Sequence, residues 1–173
     1  LILTNEELEL TPRQADCAIR FRQPQQPDLI QRKLFTVHFH LYASPGYVGR
    51  YGKPASIDEL DNHRMVTFGE FVPTQLADMN WLETAAMPDG TKRLATLQIN
   101  NILSIKRAVQ QGAGIAMLPD YVVEKQSGLV QVMPDLEVPS FDTYFCYPTS
   151  MKNQARLNAF RDFLLSKARG WSF

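Results

Sequence analysis

The spacing of apolar positions changes several times along this chain, and each change predicts an element. Val37, Phe39 and Leu41 alternate with His38, His40 and Tyr42, the period of a half-buried strand. Ile102, Ile105, Ala108 and Val109 recur at helical spacing, with Asn100 or Asn101 as the N-cap. Gly112 and Gly114 follow as stop signals, and residues 114–118 form an apolar run short enough for a strand covered on both faces. A helix that starts at the end of a sheet offers free amides to a small, often anionic, ligand. Near the end of the chain, Leu157, Phe160, Phe163 and Leu164 draw one apolar stripe along a helix over residues 154–167, suited to a sheet face.

Shorter signals fill the intervals. Residues 1–4 and 16–21 read as strands, 6–14 as a polar loop or short helix, and 22–28, rich in Pro and Gln, as a surface loop. Residues 29–34 are extended. Ser44 and Pro45 start a short helix that stops at Gly52, and Ser56 caps a second one at residues 57–60. Residues 64–68 form a strand and 69–80 are irregular. Residues 81–86 and 93–99 flank Pro88-Asp89-Gly90 and read as a hairpin. Residues 121–125 are a short helix, and 129–133 and 142–147 are strands. Strands alternate with helices, so the class is α/β.

Composition narrows the function. The 173 residues carry 18 Lys plus Arg against 18 Asp plus Glu, and no net charge. That argues against this chain alone binding nucleic acid, which needs a cationic face. No apolar run approaches the roughly 20 residues of a membrane helix. The start, LILTNEEL, lacks a signal peptide's basic and apolar regions, and the missing initiator Met reads as a fragment or processed chain. Cys17 and Cys146 sit in strand-like contexts as small hydrophobes, which fits a reducing cytoplasm better than a disulfide.

Five segments in order resemble the effector-binding domain of LysR-type transcriptional regulators. They are Ala15-Asp16-Cys17-Ala18-Ile19-Arg20, Leu41-Tyr42-Ala43-Ser44-Pro45-Gly46-Tyr47, and Asp58-Glu59-Leu60-Asp61-Asn62-His63-Arg64. Ala108-Val109-Gln110-Gln111-Gly112-Ala113-Gly114-Ile115-Ala116-Met117-Leu118-Pro119 and Arg156-Leu157-Asn158-Ala159-Phe160-Arg161-Asp162-Phe163-Leu164 complete the set. The resemblance implies two Rossmann-like lobes joined by two crossover strands, a periplasmic-binding-protein-like fold of type 2, with an effector between the lobes. Crossovers near residues 42–44 and 141–145 give lobe one as 1–43 plus 145–173 and lobe two as 44–144. The resemblance also implies a homodimer or tetramer in the cytoplasm, and DNA contact only through an N-terminal helix-turn-helix absent here. The family's domain opens with a further strand and helix ahead of Leu1. Without them lobe one exposes a strand edge and an apolar face, so the chain alone is expected to be poorly stable or strand-exchanged.

The candidate effector-binding residues are Thr4, Arg20, Ser44, Phe68, Asn100, Asn101 and Pro119. All but Pro119 have a plainer reading beside them. Asn100 and Asn101 serve equally as caps. Arg20 fits an ion pair with Glu6, Glu7 or Asp28 better than a bidentate ligand contact. Phe68 fits a core ring better than a lid, Ser44 fits capping, and Thr4 fits a turn. His38 and His40 share a strand face, but no neighbouring Cys or carboxylate completes a metal site, so they read as a solvated face. His63 closes a helix. No catalytic motif occurs, and no metal or cofactor is expected. The alternative readings are an extracytoplasmic solute-binding receptor of the same fold and, more remotely, a small enzyme on that scaffold.

Overall fold

The computed structural model describes residues 1–4, 10, 15–69, 72 and 74–171, with backbone alone at 74–76. The stretch 6–14 read above as loop or helix lies outside the described residues, Leu10 apart. The chain divides into two compact units, residues 1–37 with 140–173, and residues 38–139. Both divisions fall earlier than the crossovers placed from sequence at 43/44 and 144/145. Strand pairing explains the difference. The strand Phe39–Ala43 pairs wholly within the second unit, and the strand Phe141–Pro148 pairs wholly within the first.

The first unit holds β1 (Ala18–Phe21), β2 (Leu29–Val37) and β8 (Phe141–Pro148), with β8 in the middle and antiparallel to both neighbours. Helix α4 (Ala155–Ala168) lies against this sheet. Phe145, Tyr147, Met151 and Leu157 form the core, joined by Cys17, Ile30, Leu34 and Leu164. The predicted α4 stripe is only partly covered. Leu157 is buried, whereas Phe160 and Phe163 remain exposed, although Phe160 meets Phe145 edge-on at 5.9 Å. Both cysteines are free thiols, and burial, followed by the neighbouring Asp16 charge, raises the Cys17 pKa.

The second unit is built on β3 (Phe39–Ala43), which runs between and antiparallel to β6 (Ala116–Pro119) and β7 (Val130–Val132). β4 (Val66–Phe68) and β5 (Leu97–Ile99) pair in parallel, and a parallel bridge from Met65 to Ile115 ties them to β6. Helix α3 (Ile102–Gln110) covers one face, where Ile105 and Val109 pack with Tyr42, Val66, Phe68 and Leu118. Helix α1 (Pro45–Tyr51) begins at Ser44, whose hydroxyl accepts the Tyr47 amide at 3.2 Å.

Three local expectations are corrected. Residues 81–86 and 93–99 do not form a hairpin. Trp81–Thr84 is a helical turn, α2, and β5 pairs in parallel with β4. The turn at Gly90 is real, with φ of 79°, but Arg93 beyond it inserts its guanidinium among the Ile57, Leu82 and Ala85 carbonyls and the Asp61 carboxylate. Ser56 makes no side-chain cap on the following 3-10 turn. The two helix-stop glycines differ in role. Gly112 takes φ of 81°, the left-handed turn that favours glycine. Gly114 instead lets two segments of the chain approach, because a Cβ there would collide with the Arg64 carbonyl, 2.8 Å from its carbon.

Candidate functional site

The parallel strands of the second unit finish on one edge. Phe68 stands opposite Ile99 across β4 and β5, and Phe39 opposite Pro119 across β3 and β6. β3 starts at this edge, with His38 alone between it and Val37. β7 runs back toward it before the chain leaves the unit. In an open α/β sheet such an edge is the customary place for a ligand.

Four of the seven candidate residues come together here. Asn101 is the N-cap of α3, with extended φ and ψ of −139° and 122°, and its Oδ1 accepts the Ser104 amide at 3.0 Å. Its own carbonyl accepts the Ile105 amide at 3.0 Å. The Ile102 and Leu103 amides have no acceptor inside the helix and face outward from its first turn. Asn100 lies beside Gly69 so closely that a Cβ on Gly69 would sit 3.2 Å from the Asn100 Cβ. Phe68 is a core ring, buried beneath α3, and Pro119 is buried at the end of β6.

Three candidates lie elsewhere. Ser44 follows Ala43 at the opposite end of β3, and its Oγ is 3.6 Å from where a Cβ on Gly112 would be, at the C-terminal end of α3. The correction has one cause. β3 spends its five residues crossing the second unit, so Ser44 is carried to the far edge. Arg20 is buried in β1 of the first unit, where its Nη1 donates to Gln26 Oε1 at 3.0 Å. Glu6 and Glu7, weighed as its partners, lie outside the described residues. Thr4 is exposed in the first unit. The end of that unit's sheet from which both connections leave, marked by the Val37–Phe141 pair, also holds Arg20 and Phe21 of β1.

Sequence reasoning missed Asn80 and Asp120 at the second unit's edge, and the bonds that Tyr42 and His40 make there. Asn80 clamps the end of β4, its Oδ1 accepting the Phe68 amide at 2.9 Å and its Nδ2 donating to the Phe68 carbonyl at 3.2 Å. A side-chain amide thus replaces a strand partner. Asp120, next after Pro119, receives the Tyr42 hydroxyl at 3.1 Å and His40 Nδ1 at 2.8 Å on the same Oδ1. Its amide donates to the His38 carbonyl at 3.0 Å. Burial, then the Asp120 charge and hydrogen bond, push the Tyr42 pKa far up, so the phenol stays a donor. His40 is therefore engaged rather than simply solvated. The one available signal was the polar alternation of His40 and Tyr42 on β3. His63 ends its 3-10 turn and lies 3.1 Å from the Tyr47 hydroxyl. Among the described residues no group of three or more His, Cys, Asp or Glu could hold a metal, and no helix is long and apolar enough to cross a membrane.

The LysR substrate binding domain family matches residues 4–169. The chain belongs to that family. It is 27% identical over 174 residues to an HTH-type transcriptional regulator of Xanthomonas campestris pv. campestris, covering 95% of this chain and 49% of that protein. It is 28% identical over 171 residues to the HTH-type transcriptional regulator CrgA of Neisseria meningitidis serogroup C, covering 96% of this chain and 56% of that one. The LysR domain described here thus spans about half the length of these relatives. The solved regulatory domain of Neisseria meningitidis CrgA superposes with a TM-score of 0.74 at 24% identity, over 90% of this chain and 76% of that chain. The LysR domain therefore has the α/β fold of type 2 periplasmic-binding-protein-like regulatory domains.

Proposed function

We propose that this LysR domain senses a small organic anion held between its lobes, against the capped start of α3, and passes that occupancy to a DNA-binding segment of a cytoplasmic regulator. The observation that carries the reading is the place of Asn101. It caps a helix at the edge where β4, β5 and β6 end and where the chain enters the second unit. The free amides and the helix dipole favour negative charge there. Asp120, a carboxylate at this edge, is already engaged by Tyr42 and His40. Thr4 and Arg20 are offered as contributions from the first lobe.

Coupling follows from differential affinity. A ligand that binds one lobe arrangement a hundredfold better supplies about 2.7 kcal/mol to bias the attached heads. A homodimer or tetramer would let two heads respond together. The test is thermal melting and small-angle scattering of the full-length protein with a panel of organic carboxylates. At least one should raise the melting temperature and change the scattering profile. A panel of metabolite anions that changes neither at saturation overturns the reading.

A further inference from the structure

The first unit carries a second concavity, away from the edge just described. A groove of about 660 Å³ opens between the start of β2, the end of β8 and α4. Its wall includes Arg32, Lys152 and Arg161, the amides of Asn153 and Asn158, and the ring of Tyr147. Among the described residues no carboxylate lines it. Tyr147 is buried beneath, and its hydroxyl meets the Arg161 guanidinium. Arg161 is held in place, its Nη1 donating to Asn158 Oδ1 at 2.9 Å and its Nε to Asp162 Oδ1 at 2.8 Å. Among the described residues neither Arg32 nor Lys152 forms an ion pair.

Three cations thus share one concavity, with the Asp162 carboxylate paired to Arg161 at its margin. Their mutual repulsion is relieved when an anion enters. The volume suits a metabolite rather than a single inorganic ion. With its Oδ1 committed to Arg161, Asn158 keeps its NH₂ for an acceptor. The groove lies at the Ile30–Tyr147 end of the sheet, whereas both connections leave at the Val37–Phe141 end. At strand rise these ends are about 20 Å apart, so this is a separate site.

We infer that the groove between β2 and α4 is a second anion site that takes a hydroxylated polycarboxylate, with Arg32, Lys152 and Arg161 binding its carboxylates and the Asn153 and Asn158 amides its remaining oxygens. Such a ligand would bridge α4 to β2, the strand that continues directly into the second unit.

Calorimetric titration of the full-length protein with citrate tests this. Citrate should bind saturably, and R32Q/K152Q, which removes two exposed side chains, should weaken it by at least about tenfold, the equivalent of one charge-assisted contact. K53Q/K92Q removes the same charge from exposed positions of the second unit and should leave affinity within about twofold, while inorganic phosphate should bind the native protein at least tenfold more weakly than citrate. Melting curves and the single variant K152Q guard against a folding defect. Absence of saturable heat, equal loss in both double variants, no loss in R32Q/K152Q, or phosphate binding as tightly as citrate would each overturn the inference.

Discussion

Asn101 holds the start of α3 by one side-chain bond, its Oδ1 accepting the Ser104 amide at 3.0 Å. This bond separates two roles that usually mask one another. Asn101→Ala should cost about 1 kcal/mol through the lost cap. Asn101→Asp keeps the cap and adds charge where the helix dipole welcomes it, so stability should stay within about 0.5 kcal/mol of native. The same charge should weaken an anionic effector by at least about tenfold. Denaturant melts and ligand titration of both variants decide the point. An Asp variant with native affinity would leave Asn101 only a cap.

The Arg93 clasp should dominate the stability of the second unit. Its side chain is 4% exposed, against 57% for its partner Asp61. Arg93→Met would strand the Ile57, Leu82 and Ala85 carbonyls without donors and should cost about 3 kcal/mol. Asp61→Asn, on the wet side of the pair, should cost less than about 1 kcal/mol. Urea unfolding of the two variants gives the comparison. Equal losses would mean that the ion pair, not the carbonyl cage, holds the loop.

Stability should fall in acid partly through Asp142. The Lys33 ammonium, followed by the Thr36 hydroxyl, holds its carboxyl below the usual 3.8, with both groups 2.6 Å from Oδ1. A depressed pKa stabilises the fold above the unfolded value and withdraws that stability as pH drops through the folded one. Native protein should therefore lose more stability below about pH 4 than Asp142→Asn, which cannot titrate. Parallel acid dependence in the two proteins would remove Asp142 from the account.

Among the described residues β1 pairs only with β8, and Ile19 on it is 54% exposed. We propose that this edge seeks a strand, and that the 173-residue chain on its own self-associates through it. Light scattering should show oligomers that recede with Ile19→Lys, since an edge lysine opposes pairing. A chain that stays monomeric and unfolds cooperatively would contradict the proposal.

The α3 region was legible in sequence because its determinants are local. The helical period, the Asn cap and the Gly112 turn lie within a dozen residues. The predicted 81–99 hairpin failed for the opposite reason. The turn at Gly90 is local, but β5 finds its partner in β4, a parallel pairing that no turn residue announces. Ser44 caps α1 as read, but capping chemistry reports how a helix starts, not at which end of the sheet it starts. The joining of Tyr42 and His40 to Asp120 spans 78 and 80 residues. Only the assembled sheet brings them together. The family resemblance was recoverable because it rests on the order of short segments, which survives where no single segment is distinctive.

The central claim is that ligand sits against the start of α3. Hydrogen exchange of the full-length protein, with and without the first carboxylate found to raise its melting temperature, tests it most directly. Bound carboxylate should slow exchange of the amides at 102 and 103, which have no acceptor in the helix, together with that of Gly69 at the end of β4. Saturating ligand that protects other segments while leaving these amides unchanged would contradict the account.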